Sequence, residues 1–363
     1  MQVKSFLFVH PEALIVAGMK SGSVSQQRIA RDLGVSQALV SLVLNGKREN
    51  ISEDSYKRIW DYAIKIGYRP KGMQLGANAA GLTNVGFVLR SGVRLYTQSN
   101  FFSHVQHGLH MALQQQGLNS VFLGAEDHLT EQTLKQKLQR GNLFGVVLLG
   151  EMDERIVRTI KKSRKRVVSI SASYPGLCHS VIANESQAAE LLVSHLTDLG
   201  HKHFAWLGGN KGMRMGNARR NSIINALRLR GIEVAEENCI DMPSGDRLDG
   251  RKAAAAILDR GSRRNSPTAW LCFNGLMARG AMNLLLQKGY NVPSQVSIVA
   301  IDATRVCVEE HPEITGANAD PEKMGAKAAE LLLKDVGEED ESLTDVVMPA
   351  HLTIRETSGN APG

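Results

Sequence analysis

The spacing of apolar and polar positions along the chain changes near residue 85. Between residues 25 and 67, apolar residues recur every three or four positions in three short runs, which predicts three amphipathic helices. From residue 85 onward, short apolar runs alternate with longer amphipathic runs. This second pattern predicts parallel sheets covered by helices on both faces. The sequence therefore predicts a small helical region followed by a larger α/β region.

Each of the three early helices has a start signal in the sequence. Ser25, Ser36 and Ser52 precede the helical runs and are suited to accept hydrogen bonds from the first-turn N–H groups. Gly34 and Gly67 follow the first and third runs, where a left-handed residue commonly ends a helix. Residues 70–84 are small and glycine-rich, so we expect a linker with little helical preference.

The apolar runs after residue 85 have the length and composition of buried strands. The predicted strands are 85–89, 120–124, 145–149, 166–170, 203–208, 269–273 and 296–301. The predicted helices are 102–116, 130–140, 153–163, 185–199, 217–230, 250–259 and 275–288. This alternation is long enough for two sheets, hence two lobes, and the cleft between two lobes is a usual place for a small ligand.

Positive charge is concentrated in the helical region. The chain has a formal net charge of +7, and residues 23–72 contain nine Lys or Arg against five Asp or Glu. More than half of the net charge therefore lies in this short segment. Such a cluster indicates a polyanionic partner, although charge alone does not identify it.

The rest of the composition is that of a globular chain, with 43% hydrophobic and 22% charged residues. The four cysteines are far apart and form no C-x-x-C motif, which favours buried free thiols in a reducing cytosol. No run of about 18 apolar residues predicts a membrane-spanning helix. Residues 1–22 contain two apolar runs split by His10 and Pro11, and we expect a poorly ordered extension rather than a secretory leader.

Residues 28–45 have the form R-I-A-x-x-x-G-V-S-x-x-x-V-S-x-V-L-N, which suits two short helices joined by a tight turn. The residues predicted to face inward on the second helix are Val40, Val43 and Leu44. Those left on its outer face are Gln37, Ala38, Ser41 and Leu42. In a helix-turn-helix such an outer face enters the major groove, and helix N-termini at Ser25 and Ser36 can hold phosphates. An ordinary three-helix bundle accounts for the same spacing.

Several motifs occur together along the chain. Residues 29–70 contain A-x-x-x-G-V-S, V-S-x-V-L-N, I-S-x-x-S-x-x-R-I and G-Y-R-P. Further on come "SNFF" with "GLHMAL", then "HLTDLGHKHFAWLGG", then "PTAWLCFNGLMARGAMNLLLQKGYNVPSQVSIVAIDA". In this combination the chain resembles the LacI/GalR family of bacterial transcription regulators over almost its whole length.

The resemblance implies an all-α helix-turn-helix head joined by a hinge to a periplasmic-binding-protein-like α/β core of two doubly wound parallel-sheet lobes. The implied domains are an extension at 1–22, the head at 23–69, the hinge at 70–84 and the core at 85–363. It also implies a bacterial cytoplasmic homodimer at the nucleoid. The implied partners are a pseudo-palindromic double-stranded operator and a small effector, such as a sugar or related metabolite.

By resemblance, base reading centres on Gln37, Ala38 and Leu42. The third of these positions is very often Arg in the family, and Leu42 cannot bind guanine through two hydrogen bonds as Arg does. We therefore expect an apolar contact with a thymine methyl there. The complete DNA-binding set that the resemblance implies is Ser25, Ser36, Gln37, Ala38, Ser41, Leu42, Asn45, Lys47, Met73, Leu75 and Ala77.

The family's hinge folds into a short helix on DNA and wedges a leucine into the minor groove. The aligned residue here is Ala77, and Gly72 and Gly76 lie nearby, each of which costs a helix about 1 kcal/mol. Either Met73 or Leu75 takes over the wedge, or the DNA is bent less.

The effector residues implied by resemblance are Phe102, Ser171, Arg219, Asn274 and Asp302. The chain departs from the family at Gly275 and Ala303, which replace two Asp residues, and at Ser171-Ala172, which replaces an Asp-Arg pair. These losses imply a different or weaker ligand, or none. Arg219 is alternatively a solvated helix charge, and Asp302 is alternatively a cap at a strand end.

Other chemistry has little support in the sequence. His104, His107 and His110 recur at every third position, but no Cys or carboxylate nearby completes a metal site. No cofactor motif and no nucleophile–base arrangement is recognisable, so the sequence predicts neither a cofactor nor an enzyme. The alternatives to a ligand-controlled repressor are a regulator that has lost ligand control, a solute-binding protein and an α/β enzyme. The basic head argues against a solute-binding protein, and the missing catalytic constellation argues against an enzyme.

Overall fold

The computed structural model describes residues 25–44, 51–65, 83–91, 100–260, 266–302, 304–334 and 342–363. The chain divides into two compact units, residues 1–75 and residues 76–363. The predictions made for residues 1–22 and for the linker up to residue 82 lie outside the described residues. None of the described helices is long and apolar enough to cross a membrane.

The first unit contains three helices: α1 at Gln26–Leu33, α2 at Gln37–Leu44 and α3 at Glu53–Lys65. Ser25 accepts a hydrogen bond from the Arg28 N–H at 3.3 Å, and Gly34 ends α1 in the left-handed conformation with φ of 64°. The helices enclose a small apolar core formed by Ile29, Ala30, Val40, Val43, Leu44, Ile59 and Ala63. The predicted helices, the Ser25 cap and the inward face of α2 are confirmed.

The second unit contains two lobes, each built on a six-stranded sheet. In the first lobe the strands are β1 at Asn84–Leu89, β2 at Asn119–Ala125, β3 at Leu143–Leu149, β4 at Arg166–Ile170, β5 at His179–Ala183 and β11 at Asp345–Met348. The strand order is β11-β5-β4-β3-β1-β2, and every pairing is parallel. The helices of this lobe are α4 at Asn100–Gln114, α5 at Glu131–Arg140, α6 at Glu154–Lys162 and α11 at Pro321–Leu333.

The second lobe repeats this order. Its strands are β6 at Phe204–Gly208, β7 at Cys239–Asp241, β8 at Ala269–Cys272, β9 at Ser297–Ala300, β10 at Thr315–Asn318 and β12 at His351–Thr353. The order is β12-β10-β9-β8-β6-β7, and only β12 runs antiparallel among these pairings. Its helices are α7 at Glu185–Asp198, α8 at Arg214–Arg228, α9 at Arg247–Leu258 and α10 at Gly275–Gln287. The predicted two-lobe parallel-sheet architecture is confirmed.

The chain passes between the lobes three times, between β5 and α7, between β10 and α11, and between β11 and β12. Each passage involves at least one element that the pattern did not predict: β5 in the first, β10 and α11 in the second, and β11 and β12 in the third. The helix α11 packs closely on α4, and a Cβ at Gly325 would lie 2.0 Å from the Val105 carbonyl oxygen. The first lobe is therefore completed by a segment from near the chain end.

Candidate ligand cleft and nucleic-acid interface

The strand order fixes where a ligand can bind in each lobe. In both sheets the strand order has one switch point, where the next strand in the chain is added on the opposite side of the first. This point lies between β1 and β3 in one lobe and between β6 and β8 in the other. Ligands of open α/β sheets bind at the carboxyl ends of the strands at such points. A cavity of about 110 Å³ lies there, between the two lobes.

All five predicted effector residues line this cavity, namely Phe102, Ser171, Arg219, Asn274 and Asp302. Phe102 is buried in the first turn of α4, and its ring meets Phe101 edge-on with centroids 5.3 Å apart. Ser171 follows β4, is 8% exposed and has a positive φ of 62°. The tertiary structure thus gathers residues that are up to 200 positions apart in the sequence, from 102 to 302.

Arg219 is buried and held by groups of the protein itself. Its Nε and one terminal nitrogen donate to the two carboxylate oxygens of Glu185 at 2.9 and 3.1 Å. The other terminal nitrogen donates to the carbonyl oxygens of Phe273 at 2.7 Å and Ile301 at 3.1 Å. The interpretation of Arg219 as a solvated helix charge is therefore wrong, but four of its five donors serve the fold.

Asn274 and Asp302 together hold the beginning of α10. The Asn274 side-chain oxygen accepts from the Met277 N–H at 2.9 Å, and its amide donates to the Gly245 carbonyl at 2.9 Å. One Asp302 oxygen accepts from the Gly275 N–H at 2.9 Å, and the other accepts from the Thr304 N–H at 2.6 Å. Both side chains border the cavity, yet these hydrogen bonds join them to backbone groups. Asn274 caps α10, and Asp302 caps the end of the preceding strand segment.

Gly275 differs from the family pattern for a reason visible in the packing. A Cβ at this position would lie 2.5 Å from Val306 Cγ1, 3.0 Å from Cys307 Sγ and 3.2 Å from an Asp302 oxygen. The space of a larger side chain is therefore taken by neighbouring residues. Ala303, which replaces the second Asp of the family pattern, lies outside the described residues.

The residues that join the lobes across the cavity were not predicted from the sequence. Arg90, directly after β1, donates to the Asn210 side-chain oxygen at 3.3 Å and contacts Met213 Sδ at 3.0 Å. The N–H of Arg214 donates to Glu151 at 2.9 Å, and the Arg214 guanidinium donates to the Ser173 carbonyl at 3.2 Å. The sequence did contain one signal for Arg90 as a cleft residue, namely its position at the carboxyl end of an apolar strand.

The outer face of α2 is the candidate nucleic-acid interface. Ser36, Gln37, Ala38 and Leu42 are exposed, whereas Ser41 is half-buried and so only partly meets its predicted outward position. Ser36 accepts from the Leu39 N–H at 3.1 Å and caps α2. Leu42 keeps 42% of its surface exposed although it belongs to a short helix with a buried opposite face.

The remaining members of the predicted DNA-binding set lie outside the described residues. They are Asn45, Lys47, Met73, Leu75 and Ala77. In the part of the chain that is described, no group of three His, Cys, Asp or Glu could hold a metal ion. His104 instead contacts Glu322 at 3.0 Å, and His110 contacts the Ser120 hydroxyl at 2.9 Å.

The sequence and the fold were compared with those of known proteins. The periplasmic binding protein-like domain family matches residues 193–358. The catabolite control protein A of Priestia megaterium is 25% identical over 91% of this chain and 98% of its own length. The transcriptional repressor PurR of Aliivibrio fischeri is 25% identical over 92% of this chain and 97% of its own length.

Solved structures share the fold. A complex of the transcriptional regulator CelR with cellobiose has a TM-score of 0.67 at 22% identity and covers 92% of this chain and 99% of that one. A LacI family transcriptional regulator from Mycobacterium smegmatis has a TM-score of 0.65 at 24% identity, over 76% of this chain and 99% of that one. The architecture of the two lobes is thus the architecture of these regulators.

Proposed function

We propose that this chain, a member of the LacI/GalR family of bacterial transcription regulators, is a sequence-specific DNA-binding repressor controlled by a small ligand in its inter-lobe cleft. The observation that carries the proposal is the outer face of α2. It exposes Gln37, Ala38 and Leu42 beside a capped helix N-terminus, in a chain whose relatives are regulators rather than enzymes.

This face has the chemistry to read base edges in a major groove. The Gln37 amide can donate to and accept from adenine, and the Ala38 methyl suits a thymine methyl. The N-termini of α1 and α2 at Ser25 and Ser36 suit phosphate oxygens, because helix N-terminal N–H groups attract anions. The excess of Lys and Arg between residues 23 and 72 adds the sequence-independent part of the affinity.

The active form in this proposal is a homodimer in the bacterial cytoplasm, with one head on each half-site of a pseudo-palindromic operator. The hinge residues Met73, Leu75 and Ala77 would contact the minor groove between the half-sites, and Asn45 and Lys47 would contact DNA beside α2. A ligand in the cleft would shift the lobes and so change the affinity for the operator, by about 1–3 kcal/mol. Cellobiose and sucrose are bound in solved structures of other regulators with this fold.

Selection of bound duplexes from a random pool by the full-length chain tests the DNA function. We expect a pseudo-palindrome with two inverted half-sites, each carrying a thymine contact at the position read by Leu42. Recovery of a single half-site would contradict the dimer alone. Recovery of no preferred sequence would contradict the proposed function as a whole.

A regulator of the same fold without ligand control is the second candidate. The specific observation in its favour is that Arg219, Asn274 and Asp302 already bond to the protein. Thermal denaturation of the full chain with sugars, sugar acids and nucleobases separates the two, because a ligand that binds the native state raises the Tm.

A further inference from the structure

Arg90 differs from the other charged groups around the cleft. Its guanidinium lines the cavity, and its side chain crosses Gly150, where a Cβ would lie 2.6 Å from Arg90 Cδ. Among the described residues, its hydrogen-bond partners are the neutral Asn210 amide oxygen and the Met213 sulfur. A guanidinium has five N–H donors, so most of its donor capacity is not used by these two contacts.

The other charges of the cavity wall are matched nearby. Arg219 pairs with the Glu185 carboxylate at 2.9 Å. Glu151 accepts the Arg214 N–H and lies 3.6 Å from the Arg214 guanidinium.

The two Asp side chains of the wall are likewise engaged. Asp302 accepts two backbone N–H groups, from Gly275 and Thr304. Asp246 caps α9 by accepting the Asp249 N–H at 2.8 Å. Among the described charges lining the cavity, Arg90 thus remains as the cation without a carboxylate in direct contact.

The surroundings of Arg90 lower its pKa, first of all because burial disfavours the charged form. Glu151 and Glu126 oppose this effect through their charges but make no ion pair with it within the described residues. A partly buried guanidinium with neutral partners gains most from a bidentate anion, which supplies both charge and two acceptors. The environment therefore favours an anionic group beside Arg90.

Apolar side chains line the cavity wall alongside the polar ones. The apolar side chains are Phe101, Phe102, Met213, Met215, Phe273, Leu276 and Val306. A neutral sugar needs several acceptors and donors around its hydroxyls, but Asp302 and Asn274 direct their side-chain bonds to backbone groups. The cavity therefore combines one available cation with apolar side chains that suit the carbon skeleton of a ligand.

We propose that the effector of this regulator is a small organic anion whose carboxylate or phosphate group binds Arg90 between the lobes. The inference rests on the proposed function of the cleft as the effector site. Arg90 belongs to the first lobe, whereas Asn210 and Met213 belong to the second. An anion that draws Arg90 from these two residues replaces a direct contact between the lobes by a contact through the ligand.

Calorimetric titration of the full-length chain with matched neutral and anionic probes tests this inference. The probes are glucose, glucose 6-phosphate and gluconate, together with benzyl alcohol and benzoate for the apolar wall. We expect at least one anion to bind about tenfold or more tightly than its neutral counterpart, since hydrogen bonds to charged groups contribute more than neutral ones.

Variants at Arg90 identify the group responsible. We expect R90Q to weaken binding of that anion by about tenfold to a hundredfold, and R90K to retain part of the affinity because it keeps the charge without the planar fork. R158Q is the matched control, because it removes an exposed arginine from the outer helix α6 of the same lobe. It should leave the affinity for the anion unchanged.

Three outcomes would overturn the inference: binding of none of the anionic probes at about 10 mM, equal affinity for the neutral and anionic members of each pair, or unchanged anion affinity in R90Q. Operator binding without ligand, measured on the same variants, separates this failure from failure of the proposed function. If the chain shows no preference for anions but still binds the operator, the anionic effector is contradicted and the proposed DNA-binding function is not.

Discussion

Leu42 is an exposed apolar side chain on the face of α2 that is proposed to read DNA. It lies on the exposed face of α2, while Val40, Val43 and Leu44 of the same helix are buried. An apolar side chain there cannot form the paired hydrogen bonds that arginine makes with guanine, but it suits a thymine methyl. If the proposed reading role holds, the DNA target of this chain should differ from that of family members with arginine at the aligned position.

L42R should change the preferred base pair at one position in each half-site from T·A to G·C. The expected change in discrimination is about 1–3 kcal/mol, because arginine gains two hydrogen bonds to guanine. Gel-shift titration with operators that differ at this base pair measures it. L229R is the control, since Leu229 is 75% exposed and lies at the end of a helix of the other unit. An unchanged base preference in L42R would show that this side chain does not read the DNA.

Gly275 shows the same principle inside the cleft. The family pattern alone indicated a lost ligand contact, whereas the packing shows that Val306 and Cys307 fill the space beside the glycine. Gly275 therefore does more than remove a carboxylate from the cleft, because neighbouring side chains occupy the space that a carboxylate would need. The sequence revealed the departure, but the neighbours that explain it are about 30 residues away.

At the scale of single elements, Ser36 caps α2 and is also proposed to contact a DNA phosphate. Its hydroxyl accepts the Leu39 N–H at 3.1 Å, and the side chain is exposed at the N-terminus of α2. A helix N-terminus that binds a phosphate needs an uncharged capping side chain, because a carboxylate there would repel the DNA backbone. These two roles predict different effects for two substitutions.

S36A should lower the free energy of unfolding of the head by about 1 kcal/mol through loss of the cap. S36D should preserve that stability, since Asp is an effective N-cap, but weaken operator binding by about tenfold at low salt. Thermal denaturation and salt-dependent gel-shift assays provide the two measurements. If S36D binds the operator as well as the unchanged chain does, Ser36 is a cap without a phosphate contact.

The elements that the sequence predicted are those with local signals. The first three helices have caps and regular apolar spacing, and the seven predicted strands are continuous apolar runs. Three of the missed strands lack such signals: β7 and β12 have three residues each, and β10 is the polar, glycine-containing stretch "TGAN". They become strands because a neighbouring strand supplies their hydrogen bonds. The missed helix α11 does carry such signals, because Asp320 caps it and Pro321 is its first residue.

At the scale of the whole core, the loop before α8 and the first residue of α8 join the lobes. Asn210 and Met213 contact Arg90, and Arg214 contacts Glu151 and the Ser173 carbonyl. These contacts all cross the cavity in which the ligand is proposed to bind. The proposed control by a ligand would therefore be a competition between direct contacts of the lobes and contacts through the ligand.

R214A should shift the core toward more widely separated lobes, because it removes the guanidinium contacts with Glu151 and Ser173. The expected shift is about 1 kcal/mol or less, since Arg214 is largely exposed and exposed ion pairs contribute little. Small-angle scattering of the full chain and hydrogen exchange of residues 210–214 measure the change. R228A, at the exposed far end of the same helix, should alter neither. Identical exchange in R214A and the unchanged chain would contradict a role for these contacts.

The sequence by itself determined the two-lobe α/β class, the three-helix head and five of the residues that border the cleft. Apolar spacing and helix caps act over a few positions, so they can be recognised without knowledge of the rest of the chain. Tertiary structure decided which polar groups there are free. Arg219 is bound by Glu185, Phe273 and Ile301, which lie 34, 54 and 82 positions away, whereas Arg90 retains donors in the cavity. A hydrogen bond is satisfied by whatever group packing brings within about 3 Å, and that depends on the whole fold rather than on local pattern.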